Sequence, residues 1–90
     1  MKIALYSVSS GKVVNTIIEN LFKFQIKYIL QFYIENSFSK KINPELKPNF
    51  KTFSSHKQLD KSIDLMITIG GDGTLLRSVS YIRNLGIPVI

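Results

Sequence analysis

The stretch Gly70-Gly71-Asp72-Gly73-Thr74-Leu75-Leu76-Arg77 sets one carboxylate among three glycines, with a basic side chain shortly after. Glycine adopts positive φ without a Cβ clash and leaves its backbone open to close approach. Three glycines in four positions therefore predict a tight turn against something bulky. Asp72 is the only acidic side chain in that turn. A carboxylate on a rigid turn can accept a proton from a substrate hydroxyl, or hold that hydroxyl in line with a phosphoryl group in transfer. It would repel phosphate, so phosphate contact falls instead to Thr74 and to the N–H groups that open the following helix. Arg77 can add the planar fork of its guanidinium. The plain structural alternative is an ordinary turn in which Asp72 caps the next helix and Arg77 is solvated on its surface. The loop has neither the G-x-G-x-x-G spacing of a dinucleotide-binding turn nor the Gly-Lys-Ser/Thr ending of a P-loop.

Positioning such a loop requires a strand before it and a helix after it. Leu65 to Ile69 is short, β-branched and apolar apart from Thr68, the pattern of a central strand covered on both faces. After the glycines, Leu75, Leu76, Val79, Ile82 and Leu85 form the apolar stripe of a helix that Gly86 terminates; Ser78, Ser80 and Tyr81 are assigned to its surface. Ile87-Pro88-Val89-Ile90 opens a further strand. Upstream, Lys2 to Val8 reads as a first strand, and Ser9-Ser10-Gly11 as a turn with a serine N-cap. Val14, Ile17, Ile18, Leu21 and Phe22 share one face of a helix from about Val13 to Phe24.

Alternation from Ile26 to Glu35 predicts a second strand, with helix as the competing reading. Asn36 to Pro48, in which Ser37 to Ile42 can form a short helical turn, is expected to be a surface insertion because Pro44 and Pro48 discourage regular structure. Lys51 to Phe53 reads as a brief strand, followed by a short helix through Leu59 capped by Ser54 or Ser55. Strands and helices in βαβ order predict a three-layer α/β/α sandwich with a mostly parallel sheet, and open sheets of this class bind ligands where a strand ends and a helix begins.

Ninety residues permit one small domain, and 44% hydrophobic residues place it among folded globular chains. Without cysteine there is no disulfide or thiolate metal site. His56, the only histidine, has no second ligand near it in sequence and is assigned to the surface, so no metal-ligating residue is assigned. The net charge of +6 comes from lysines that form no run longer than two. Such a basic surface is read as solvated rather than as a nucleic-acid site, with attraction of phosphorylated small molecules as the weaker possibility. No apolar stretch reaches the roughly 18 residues that span a bilayer and no signal peptide is recognised, so the expected location is cytoplasmic, with no membrane association. A chain that stops as a buried strand opens is expected to be part of something longer.

Gly70-Gly71-Asp72-Gly73-Thr74-Leu75-Leu76, straight after an apolar strand, resembles the signature of the NAD kinase family. The opening Lys2-Ile3-Ala4 strand, the first helix, the variable middle and the closing Leu85-Gly86-Ile87-Pro88-Val89-Ile90 are similar in plan. The resemblance implies an NAD kinase or phosphofructokinase-like N-terminal α/β domain over residues 1–90, with a C-terminal β-rich domain beyond it. It implies phosphorylation of the adenosine ribose 2′-hydroxyl of NAD+ to give NADP+, with ATP or polyphosphate as donor, a divalent cation such as Mg2+, and a homo-oligomer when full length. On it, Asp72 is the proton-accepting aspartate, Asp72 and Gly73 contact NAD, Arg77 contacts the nucleotide, and Gly70, Gly71 and Thr74 support the loop. The alternatives are a non-catalytic nucleotide-binding fragment, and a fragment of a diacylglycerol or sphingosine-type lipid kinase. Lipid kinases share a Gly-Gly-Asp-Gly-Thr loop but continue with Asn and Glu, where this chain has Leu75-Leu76-Arg77-Ser78.

Overall fold

Alternating apolar side chains in a short β-favouring run can be buried on both sides only inside a sheet with cover on both faces, and β1 (Lys2–Tyr6) occupies that place. In the computed structural model, which describes residues 1–8, 11–25, 27–43, 50–70, 72–83 and 85–90 and of Asp72 the backbone alone, β1 is paired in parallel on both edges. On one edge Ile3 stands opposite Phe32 of β2 (Gln31–Glu35), and on the other opposite Leu65 of β4 (Leu65–Thr68). With β3 (Phe50–Phe53) beside β2, the order is β3-β2-β1-β4, all parallel. The segment after residue 86 runs along the free edge of β4 in the same direction. Met66 is bridged to Val89, the Met66 N–H donates to Pro88 O at 2.9 Å, and the Thr68 N–H donates to Ile90 O at 2.7 Å. β4 is thus flanked on both sides, as expected of an interior strand.

Successive side chains of a strand point to opposite faces, and here they enter two separate cores. Ile3, Leu5, Phe32, Ile34 and Ile69 meet Val14 and Ile18 of α1 (Lys12–Lys23) together with Phe38 and Ile42. Ala4 and Met66 face the other way, toward Phe53, Leu59, Ile63 and Ile87, with Tyr81 and Ile82 of α3 (Asp72–Ile82) against them. This is the three-layer α/β/α arrangement. Complete burial of an aliphatic side chain such as Ile18 stabilises the fold by about 1.5–3 kcal/mol, so α1 is held chiefly by Val14 and Ile18.

Several expectations are corrected. The second strand is confined to Gln31–Glu35, because the preceding residues wind on from α1: the Tyr28 N–H donates to Phe24 O at 3.0 Å and the Leu30 N–H to Gln25 O at 3.0 Å. Tyr28 and Ile29, which the alternation places in the strand, are exposed. The region after β2 is not peripheral throughout. The Glu35 carboxylate accepts from the Phe38 N–H at 2.9 Å and caps α2 (Asn36–Ser39), which drives Phe38 and Ile42 into the core. Ile17 lies at the rim of the α1 stripe and is exposed. α3 ends at Ile82, before Gly86, with Arg83 in the left-handed region at φ 43°. The short helix after β3 is a single 3₁₀ turn, His56–Gln58, with Ser55 ahead of it making no side-chain cap. The serine cap at Ser9 or Ser10, the role of Ile26, and the prolines Pro44 and Pro48 lie outside the described residues.

Candidate active site

A parallel sheet opens a crevice where neighbouring strands send their connections in opposite directions. In the order β3-β2-β1-β4, β1 is followed by β2 on one side, whereas β3 is followed by β4 across the sheet. The crevice therefore lies at the C-terminal ends of β1 and β4, where Ser7 and Gly70 emerge.

These ends are fastened together. The Ile69 N–H donates to Tyr6 O at 3.0 Å, and the buried Ser7 hydroxyl donates to Ile69 O at 2.6 Å. The last residue before the glycine turn thus has both backbone groups engaged with β1. Gly70 follows at φ 143°, a backbone state that L side chains rarely adopt, so the chain breaks away from the strand there. Helix α3 begins at Asp72. Gly71 and the side chain of Asp72 lie outside the described residues, so the roles expected of both rest on their place between β4 and α3.

Gly73 lies in the first turn of α3 and is exposed; a Cβ built there meets nothing within 4 Å. No packing in the described structure requires glycine at that position, although glycine in a helix costs about 0.5–1 kcal/mol relative to alanine. Its Cβ side is open space.

Thr74 is turned inward, only 2% exposed, and its hydroxyl has no hydrogen-bond partner among the described residues. One turn on, Ser78 is fully buried, its hydroxyl spent on Leu75 O at 2.5 Å. Arg77 is exposed on α3, one turn beyond Gly73, with no ion pair recorded among the described residues. Gly70, Gly73, Thr74 and Arg77 thus lie on one strand-turn-helix connection, Thr74 facing the protein and Arg77 the solvent.

Residues that the pattern reading passed over also shape this end of the sheet. Tyr81, assigned above to the surface, is half-buried and packs edge-on against Tyr6 and Phe53, with ring centroids 5.3 and 5.2 Å apart. Burial, then the Glu35 carboxylate and Tyr6, push its phenol above the ordinary value; Arg77 pulls the other way. Tyr81 is accordingly a neutral phenol at physiological pH. Ser78 and Tyr81 follow Thr74 at helical spacing, and that small-polar and aromatic stripe was the signal that could have marked the inner face of α3. His56 is half-buried, and the described residues contain no group of three or more metal-ligating side chains. No helix among them is long and apolar enough to cross a membrane. A cavity of about 580 Å³ lined by Gln31, Tyr33, Phe50 and Lys51 lies at the opposite, N-terminal end of β2 and β3, and contains none of the residues with candidate chemistry.

Comparison with known proteins converges on one family. The family model described as the ATP-NAD kinase N-terminal domain matches residues 7–90. The chain is similar over its whole length to proteins named NAD kinase from Flavobacterium psychrophilum (39% identical), Flavobacterium johnsoniae (36%) and Christiangramia forsetii (38%). It spans 31% of the length of each of these relatives. No solved structure matches it.

Proposed function

The chain belongs to the NAD kinase family, and we propose that it is the N-terminal α/β domain of a polypeptide that phosphorylates the adenosine ribose 2′-hydroxyl of NAD+ to give NADP+. ATP is the proposed donor, with polyphosphate as the other candidate. In the reaction a bond forms between the ribose 2′-oxygen and the terminal phosphorus, the bond to the bridging oxygen breaks, and ADP leaves when ATP is the donor. Asp72 accepts the hydroxyl proton, Gly73 gives the nucleotide close access to backbone, and Arg77 meets its negative charge. Gly70 and Gly71 shape the turn and Thr74 supports it.

The observation that carries this reading is Gly73: a glycine in a helix's first turn, open on its Cβ side, at the end of an interior strand beside the sheet's crevice. The match to NAD kinases leaves the lipid-kinase alternative without support. A divalent cation such as Mg2+ is proposed to accompany the donor phosphates. A cytoplasmic, homo-oligomeric enzyme without a nucleic-acid or membrane partner completes the proposal, the scattered lysines forming a solvated basic surface.

The test uses the polypeptide at the length of its relatives. Asp72→Asn is expected to lower kcat for NADP+ formation by about 10²–10⁴-fold, the usual contribution of a general base, with the circular dichroism spectrum unchanged. Turnover near that of the unaltered protein would remove Asp72 from the chemistry.

A further inference from the structure

The parallel ladder between β1 and β4 is ended by a side chain. With Tyr6 opposite Thr68, and the Ile69 N–H donating to Tyr6 O at 3.0 Å, the next backbone bond in register would run from the Val8 N–H to Ile69 O. Val8 makes no such bond. Ile69 O accepts instead from the Ser7 hydroxyl at 2.6 Å, with Ser7 only 2% exposed. Val8 has already left the sheet: it is 42% exposed, and its carbonyl accepts from the Lys41 ammonium at 3.3 Å. A side-chain donor in place of a backbone donor lets β1 and β4 part at their C-terminal ends, where the crevice lies, while the last carbonyl before Gly70 stays tied to β1.

The two bonds at Ile69 hold different peptide planes. Its N–H belongs to the peptide that joins it to Thr68, within the strand, whereas its carbonyl belongs to the peptide that joins it to Gly70. The Ser7 bond therefore orients the first peptide plane of the turn. Gly70 follows at φ 143° and α3 starts at the backbone of Asp72, three residues after Ile69. Glycine has no Cβ to restrict its own rotation, so the course of so short a turn is set by the groups at its two ends. One end is α3, seated on the sheet through Thr74 and Ser78, and the other is the peptide that Ser7 holds.

We propose, on the function assigned above to Asp72, that Ser7 is a positioning residue for phosphoryl transfer. Its hydroxyl orients the Ile69–Gly70 peptide, and through it the turn that carries Asp72 to the substrate hydroxyl. A displacement of about 1 Å at a reacting group can cost 10²-fold in rate, so a loosened turn is read in kcat even where the fold survives. A serine that merely satisfied a strand-end carbonyl would affect stability and leave kcat alone.

A double-mutant cycle in the polypeptide at the length of its relatives tests this, with kcat for NADP+ formation measured well below the unfolding midpoint of each variant. Ser7→Ala is expected to lower kcat by about tenfold or more when Asp72 is present, with the circular dichroism spectrum unchanged. In the Asp72→Asn background most of that loss should vanish, because a displaced turn has little left to lose once its base is gone. A smaller loss from Ser7→Ala overturns the proposal, and so does the same fold-loss in both backgrounds. Where Ser7→Ala does not fold, Ser7→Cys decides by the same criteria, since it fills the site but offers only a weak S–H donor. Asp72→Asn turning over near the parent rate would reject the function assigned to Asp72 and the role of Ser7 with it. A slow Asp72→Asn protein beside an unimpaired Ser7→Ala protein would reject the role of Ser7 alone.

Discussion

Gly73 and Thr74 are neighbours with opposite relations to the protein, and each yields a prediction in which stability and binding separate. Gly73 carries a conformational cost that nothing in the described structure repays. Gly73→Ala in the polypeptide at the length of its relatives is expected to leave the Tm unchanged or raise it, by up to about 1 kcal/mol of stability. On the proposed function the KM for NAD+ should rise, because the added methyl group would occupy the side at which the nucleotide is proposed to approach. Unaltered kinetics in a folded Gly73→Ala protein would mean that the ligand does not approach there. Thr74 is buried, and its hydroxyl has no hydrogen-bond partner among the described residues. Replacing an unsatisfied buried hydroxyl by an apolar group of the same shape removes a desolvation cost of about 1–3 kcal/mol. Thr74→Val should therefore stabilise the 90-residue chain against urea, by about 1 kcal/mol in the midpoint-derived free energy. A loss of stability would show that the hydroxyl has a partner in solution.

Helix α3 shows how an element can satisfy a periodicity and still be oriented otherwise. Leu75, Leu76, Val79, Ile82 and Leu85 define a helical stripe, but only Ile82 and Leu85 pack against the core, while Thr74, Ser78 and Tyr81 complete the buried side. The helix starts within a few residues of a strand end that is fastened to β1 through Ser7 and Ile69. That short connection sets its rotation, and the small Thr74 and Ser78 side chains fit the close approach to the sheet. Opposite outcomes follow for two adjacent faces. Ser78→Leu should destabilise the 90-residue chain by about 1–3 kcal/mol, the usual cost of forcing extra volume into a packed interior. Leu76→Ser should stay within about 0.5 kcal/mol of the parent, as for an exposed position. Thermal and urea unfolding of the two variants checks both, and the reverse order would reject this orientation of α3.

For the molecule as a whole, the clearest pH dependence lies on the alkaline side. The Tyr81 phenol is held above its ordinary value by burial and then by Glu35 and Tyr6, against the pull of Arg77. The folded state therefore binds this proton more tightly than the unfolded state does. The stabilisation is fully present below the unfolded value of about 10 and is lost as pH rises through the higher folded value. Urea unfolding from pH 8 upward should show stability falling above about pH 10, and Tyr81→Phe should fall less steeply over that window. Identical slopes for the two proteins would remove Tyr81 as the cause. Asp60 behaves in the opposite sense, its carboxylate lowered by hydrogen bonds from Ser62, but it is fully exposed and adds little.

Local pattern alone was enough to place β1, α1, the short β3, the strand ahead of the glycine turn and the helix after it, and hence the parallel α/β class. Each of these is encoded within a few neighbouring residues: β-branched runs, helical spacing, and glycines where φ turns positive. The motif from Gly70 to Arg77 was legible as a pattern for the same reason, since it consists of residue types at fixed short spacing. Alternation before β2 misled because Tyr28 and Ile29 continue a turn bonded back to α1. The burial of Phe38 and Ile42 depended on the Glu35 cap, and the rotation of α3 on the clamp between β1 and β4. These features arise between groups distant along the chain or held by a neighbouring element, and such pairings leave no periodic trace in the sequence. Only the assembled sheet brings Ser7 to Ile69, and Tyr6 and Phe53 to Tyr81.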